Sequence, residues 1–142
     1  MKQISEILEK KGGTTWSVSP DQSVYDALQV MADKGIGAVL VMQDGKLCGI
    51  LSERDYARKV SLEGLSARSC TVSDIMTSKV LHVSRTHSVD ECLEMMTDKH
   101  LRHLPVLESD DVIGMVSIGD LVKAIIEEQQ LLINQLQQYI SG

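Results

Sequence analysis

Apolar positions along the chain alternate between helical and strand-like spacing, and they do so twice. Trp16 to Ser19 reads as a short extended piece, followed by a turn over Pro20-Asp21-Gln22-Ser23. Val24, Ala27, Leu28 and Met31 then recur at three- and four-residue intervals, which predicts a helix that Ser23 opens and Gly35 ends. Ala38 to Met42 is an unbroken apolar run, Asp44-Gly45 is a hairpin turn, and Lys46 to Ser52 is the returning strand. A second helix starts at Glu53. The same order returns downstream: an extended piece at 80–84, a helix over 88–99, a strand over 103–107, a turn at 109–111, a strand over 112–117 and a final helix. Between the two sets, residues 61–72 hold Ser61, Gly64, Ser66 and Ser69 and read as a linker.

The second set is a copy of the first. Shifting the chain by 65 residues lays 18–58 on 83–123 without a gap, and 12 of the 41 pairs are identical, among them Ser23/Ser88, Gly49/Gly114, Ser52/Ser117 and Asp55/Asp120. Many other pairs exchange one apolar residue for another. Two copies are too few for a solenoid. They suit two β-α-β-β-α units packed about a pseudo-two-fold axis, an α/β fold. The expected division is 1–64 for the first unit with its N-terminal segment, 65–126 for the linker and second unit, and 127–142 for a helical extension. From Leu121 to Ile140 there is no Gly or Pro, and the apolar residues include those at 121, 122, 125, 126, 132, 133, 136, 139 and 140. This predicts one amphipathic helix of about 20 residues, lying along its own unit or burying its stripe against a second chain.

Composition narrows the function classes. Fourteen Lys and Arg face 20 Asp and Glu, a net charge of −6 that argues against a general nucleic-acid binder. No apolar run approaches the roughly 20 residues of a membrane span, and the first residues lack the apolar core of a signal peptide. Cys48, Cys70 and Cys92 are odd in number and share no metal-binding spacing, which fits a reduced, cytoplasmic setting. His100 and His103 have no Cys or acidic partner at ligand spacing, so no metal is expected. No nucleophile or paired acid and base is assembled, so no catalytic residues and no catalytic cofactor are expected.

The copies close on Gly49-Ile50-Leu51-Ser52-Glu53-Arg54-Asp55 and Gly114-Met115-Val116-Ser117-Ile118-Gly119-Asp120. A strand running into a helix offers unpaired backbone N–H groups and the positive end of the helix dipole, which suit an anion. The Ser can cap that helix or donate to a phosphate. The Asp three residues on can accept from both hydroxyls of a ribose, or can simply complete a capping box. The pattern Gly-h-h-Ser-x-x-Asp (h, apolar) closing a β-α-β-β-α unit of about 60 residues resembles the CBS domain, and two in tandem resemble a CBS pair, or Bateman module. Ser73-Asp74-Ile75-Met76-Thr77 and Arg102-His103-Leu104-Pro105-Val106 agree with that resemblance, and the closing Gln135 to Gly142 is similar to that of small stand-alone bacterial members.

That resemblance implies two clefts for an adenine nucleotide such as AMP, ATP or NAD. One would combine Ser117 and Asp120 with Thr15, Trp16, Val18, Gly37 and Ala38. The other would combine Ser52, Arg54 and Asp55 with Thr77, Val80, Leu81, Leu101, Arg102 and His103. Trp16 is the candidate to stack on a base. Arg54, Arg102 and His103 are the phosphate candidates, and since the first copy has Gly37-Ala38 where the second has Arg102-His103, the two sites should differ. The function expected is sensing without turnover, through a homodimer or an unknown regulated protein. The alternatives are an interaction module with empty clefts and, behind it, a nucleotide hydrolase.

Overall fold

The computed structural model describes residues 2–141. It opens with a helix that the repeat does not contain, α1 (Ile4–Lys11), followed by β1 (Ser17–Val18), α2 (Val24–Lys34), β2 (Ala38–Gln43) and β3 (Lys46–Ser52). After β3 come a single turn α3 (Glu53–Tyr56), a π-helical turn Ala57–Ser61 and the short α4 (Val72–Ile75). The second copy supplies α5 (Val89–Lys99), β4 (His103–Glu108), β5 (Asp111–Ser117) and α6 (Ile118–Ser141).

Local chemistry accounts for most boundaries. Ser23 and Ser88 each accept from the backbone N–H three residues on and cap α2 and α5. α2 ends on Gly35 in the left-handed region at φ 64°, while α5 ends on His100 at φ 56°, where only the Cβ adds strain. The β2–β3 turn has Asp44 and Gly45 both at positive φ, and the β4–β5 turn does the same with Ser109 and Asp110, the twist that a two-residue hairpin favours.

The chain forms two compact units, and they do not follow the repeat boundary. One comprises Thr14–Leu81 with Ser109–Val112. Its sheet has the order β1-β2-β3, with β1 parallel and β3 antiparallel to β2. Val18, Val39, Val41 and Leu51 from the sheet meet Val24, Ala27 and Met31 of α2 and Val72 and Ile75 of α4 in its core. The other unit comprises the segment ending at Gly13, His82–Glu108 and the chain from Ile113 onward. Here Ile4, Ile7 and Leu8 of α1 pack among Cys92, Met96, Leu104, Val106, Val116 and Leu121. Glu127 on α6 takes ion pairs from Lys2 at 3.3 Å and Lys10 at 3.1 Å. Burial pushes the Cys92 thiol up to about 11, so it behaves as a small apolar residue.

The opening strand expected at 80–84 is reduced to one parallel bridge, Val83 to Val106. The first copy shows why. There Leu40 N–H donates to Trp16 C=O at 3.1 Å, but the residue matching Leu40 is Pro105, which has no N–H to give. The second helix expected from Glu53 is likewise only one turn long before it loosens into the π turn. The tail helix is present and longer than expected, 24 residues.

Candidate functional site

Each unit holds one strand-to-helix junction closed by its own Gly-h-h-Ser-x-x-Asp. In the first copy, Asp55 Oδ2 accepts from Ser52 N–H at 2.9 Å and from Ser52 Oγ at 3.0 Å, while Asp55 N–H donates back to Ser52 Oγ at 3.1 Å. In the second copy, Asp120 Oδ2 accepts from Ser117 N–H at 2.8 Å, and Asp120 N–H donates to Ser117 Oγ at 3.2 Å. Both are capping boxes in geometry, with Asp in the place of the more common Glu. Both carboxylates also meet a lysine. Lys59, one helical turn on, stands 3.3 Å from Asp55 Oδ1 and donates to Ile75 C=O at 2.9 Å. Lys11, at the end of α1, donates to Asp120 Oδ2 and to Met115 C=O, each at 2.7 Å.

These pairs leave the carboxylates accessible: Asp55 is 19% and Asp120 25% exposed. Burial raises the Asp120 pKa, but the hydrogen bonds from Lys11 and Ser117 outweigh it and hold the group below its usual range. It is therefore ionised at neutral pH and able to accept from a hydroxyl pair. His103 moves down as well, first through burial, then through Lys11, with Asp120 opposing and Arg102 adding. The imidazole is neutral at pH 7.

The motif glycines are required by what crosses behind them. A Cβ on Gly49 would stand 2.5 Å from Met76 Sδ and 3.1 Å from Thr77 C=O. A Cβ on Gly114 would stand 2.6 Å from a methyl of Leu8. Thr77 exchanges two backbone hydrogen bonds with Ile50, at 3.0 and 2.9 Å, beside the Ser52 junction.

Within each unit, the middle strand begins beside the junction of its own copy. Glu53 N–H donates to Gly37 C=O at 3.0 Å, and Ala38 lies opposite Ser52. Ile118 N–H donates to Arg102 C=O at 2.9 Å, and His103 senses the charge of Asp120. The reason is the hairpin itself: in each copy the start of the first strand must lie beside the end of the second, where the motif sits. Trp16 is 38% exposed, with Lys34 Nζ 4.1 Å from the ring centroid, so one cation already covers its π surface. The side chains of Val18 and Ala38 lie in the core, and only their backbone can meet a ligand. Arg54, Thr15, Val80 and Leu101 are partly buried, and Leu81 and Arg102 are exposed. Lys11 and Lys59 were missed. The spacing of Ile4, Ile7 and Leu8 ahead of Lys10-Lys11-Gly12 signalled the helix that carries the first, and the four-residue step from Asp55 signalled the second.

The model of the CBS domain family matches residues 15–62 and 72–127. The chain belongs to the CBS domain family. It is a CBS domain pair, a regulatory kind of module, followed by a long C-terminal helix. A CBS domain-containing protein of Arabidopsis thaliana, CBSX3, named as mitochondrial, is 38% identical over 98% of this chain and 72% of its own length. A solved CBS-domain protein from Burkholderia ambifaria is 46% identical with a TM-score of 0.87, covering 90% of this chain and 96% of that one. The CBS domain pair of protein MJ0100, solved in complex with 5'-methylthioadenosine and S-adenosyl-L-methionine, shares the fold at a TM-score of 0.79 and 20% identity, over 90% of this chain and 98% of that one. Among the described residues, no three His, Cys, Asp or Glu side chains gather as a metal site, and no helix is long and apolar enough to cross a membrane.

Proposed function

We propose that the chain is a cytoplasmic, non-catalytic sensor that binds an adenine nucleotide such as AMP, ATP or NAD and signals through its oligomer, a homodimer, or a regulated partner protein. The observation that carries this reading is the pair of half-buried carboxylates, Asp55 and Asp120, each at the start of a helix in a family module. A ribose diol reaching either carboxylate gains two charge-assisted hydrogen bonds. The dipole of the 24-residue α6 favours a phosphate at the same end as Asp120. At that junction Arg102 and His103 add donors, and Lys11 adds a charge. That the MJ0100 domain pair was solved with two adenosine-containing molecules supports the ligand class.

One observation favours a second reading. Both Asp residues are already satisfied by a cap and a lysine, as residues that only start a helix would be. Thermal shift against AMP, ATP, NAD and adenosine separates the two. A ligand at 100 times its Kd stabilises by about 2.7 kcal/mol, whereas flat melts across the set at millimolar concentration leave the interaction module. Arg102→Ala should weaken AMP more than adenosine; equal losses would remove Arg102 as a phosphate ligand.

A further inference from the structure

The most exposed apolar surface of the molecule lies on α6. The first part of this helix is anchored: Leu121 and Ala124 are buried against α1 and α5 partners of the same core. From Gln129 to Ser141 every residue is exposed. Thirteen neutral residues in a lone helix are marginal in water, because helix nucleation is costly and little packing repays it. This stretch therefore needs a covering partner.

Three features of the stretch say what covers it. First, Val122, Ile126, Gln129, Ile133, Leu136 and Ile140 are spaced 4-3-4-3-4, the seam of a two-helix coil, and the five apolar ones are 44%, 59%, 47%, 54% and 83% exposed. Second, the last charged residue of the chain is Glu128, so 129–142 is neutral in a protein of net charge −6. Two copies repel through their bodies but not along this helix. Third, the flanks of the seam are uncharged: Gln130 and Gln137 line one side, and Leu132 and Tyr139, 56% and 87% exposed, line the other. Neither side sets a charge against the same side of a second copy, and the amides carry both donor and acceptor. A membrane-surface helix would carry Lys or Arg on its polar face, and here there is none.

We propose that α6 of a second copy of this chain packs along Val122 to Ile140, with Gln129 as the one polar residue in the seam. This gives the homodimer reading its surface and is independent of nucleotide binding. A polar seam residue costs stability and limits which pairings are allowed, so it supplies a variant that should strengthen the contact.

The test is sedimentation equilibrium of the full chain and of two variants, with thermal melts run alongside. The wild type should be a dimer in the micromolar range. Ile133→Glu with Leu136→Glu places like charges in the seam and should weaken the dimer at least tenfold, with the melting of the body retained because both side chains are exposed. Gln129→Leu should tighten the dimer about tenfold. A monomeric wild type at 50 µM (roughly five times a 10 µM Kd) would overturn both the seam and the homodimer, and would assign the helix face to a partner of different chemistry. A dimer unmoved by the double Glu variant, or one that Gln129→Leu fails to tighten, would overturn the seam and leave the homodimer standing on another surface.

Discussion

Asp55 and Asp120 occupy the same place in two copies of one motif, yet the lysine that neutralises each comes from a different distance along the chain. Lys59 is four residues beyond Asp55, on the turn that the motif itself starts. Lys11 precedes Asp120 by 109 residues and arrives on α1, whose Ile4, Ile7 and Leu8 are fixed in the core of that unit. A repeated motif thus reproduces the cap but not the electrostatics around it. At the first junction the cation is bound to local helix geometry. At the second it depends on tertiary packing, and anything that moves α1 changes the charge beside Asp120.

Removing the carboxylates has the largest expected effect. Asp55→Asn and Asp120→Asn each abolish a charged acceptor, and losing a hydrogen bond to a charged group costs about 1.5–3 kcal/mol, tenfold or more in Kd. Titration calorimetry with AMP on the two single variants and the double variant checks this. An unchanged affinity in the double variant would sink the ribose assignment. Equal losses in the two single variants would show that the source of the lysine does not matter.

The glycines behind the junctions come next. Gly114→Ala drives a methyl into Leu8, and Gly49→Ala drives one into Met76 and the Thr77 carbonyl. Gly13→Ala meets a harder obstacle, the Ile113 carbonyl oxygen at 2.6 Å, because backbone yields less than a leucine methyl. Overpacking costs about 1–3 kcal/mol, with Gly13→Ala at the upper end and Gly114→Ala below it in urea unfolding. The reverse order would mean that α1 is held more rigidly than the link that follows it.

The lysines separate the junctions more directly, at a smaller scale. Partly exposed ion pairs contribute about 0.2–1 kcal/mol. Lys59→Met and Lys11→Met should therefore change stability little. Lys11→Met should tighten adenosine a few-fold by freeing Oδ2 of Asp120, and weaken AMP relative to adenosine by removing a cation near the phosphate. Lys59→Met should not alter the AMP-to-adenosine ratio at the Asp120 site. A ratio unchanged by Lys11→Met would show that the α1 lysine is a structural strut only.

How much of this was legible beforehand follows the range of the interactions. The hairpins, the Ser caps, the Gly35 stop and the long tail helix depend on residues a few positions apart, and their patterns are plain in the chain. The failed opening strand of the second copy was readable in principle, since Pro105 stands where Leu40 donates. It was missed because strand pairing was inferred from the repeat and not from available N–H groups. α1 carries its own helical spacing, but it lies outside the repeat and drew no attention. The exchange of leading segments between units, which puts Lys11 beside Asp120, has no local signature.

His103 gives the finest test of the contrast, because the first copy has Ala38 at that position. Burial, Lys11 and Arg102 lower its pKa in the folded protein, and only Asp120 opposes them. Its pKa is thus below the value of about 6.5 expected in the unfolded chain. The unfolded state then binds the proton first, so stability falls as pH drops below about 6.5 and stops falling once the pH is below the folded value. His103→Gln should remove that part of the acid loss, and melts of the variant and wild type between pH 7.5 and 5.5 should converge or cross toward acid. The same shift sets the phosphate response. At pH 7 the ring is neutral and offers no charge, so AMP should tighten only at pH clearly below 6.5, not near it. Lys11→Met removes one of the depressing charges and should move that response toward neutral pH. The matching variant in the first copy, Ala38→His, puts an imidazole at a fully buried site, and instability there would reflect packing alone. AMP affinity that tightens equally in wild type and His103→Gln would transfer the pH dependence to the phosphate itself and leave His103 a strand residue.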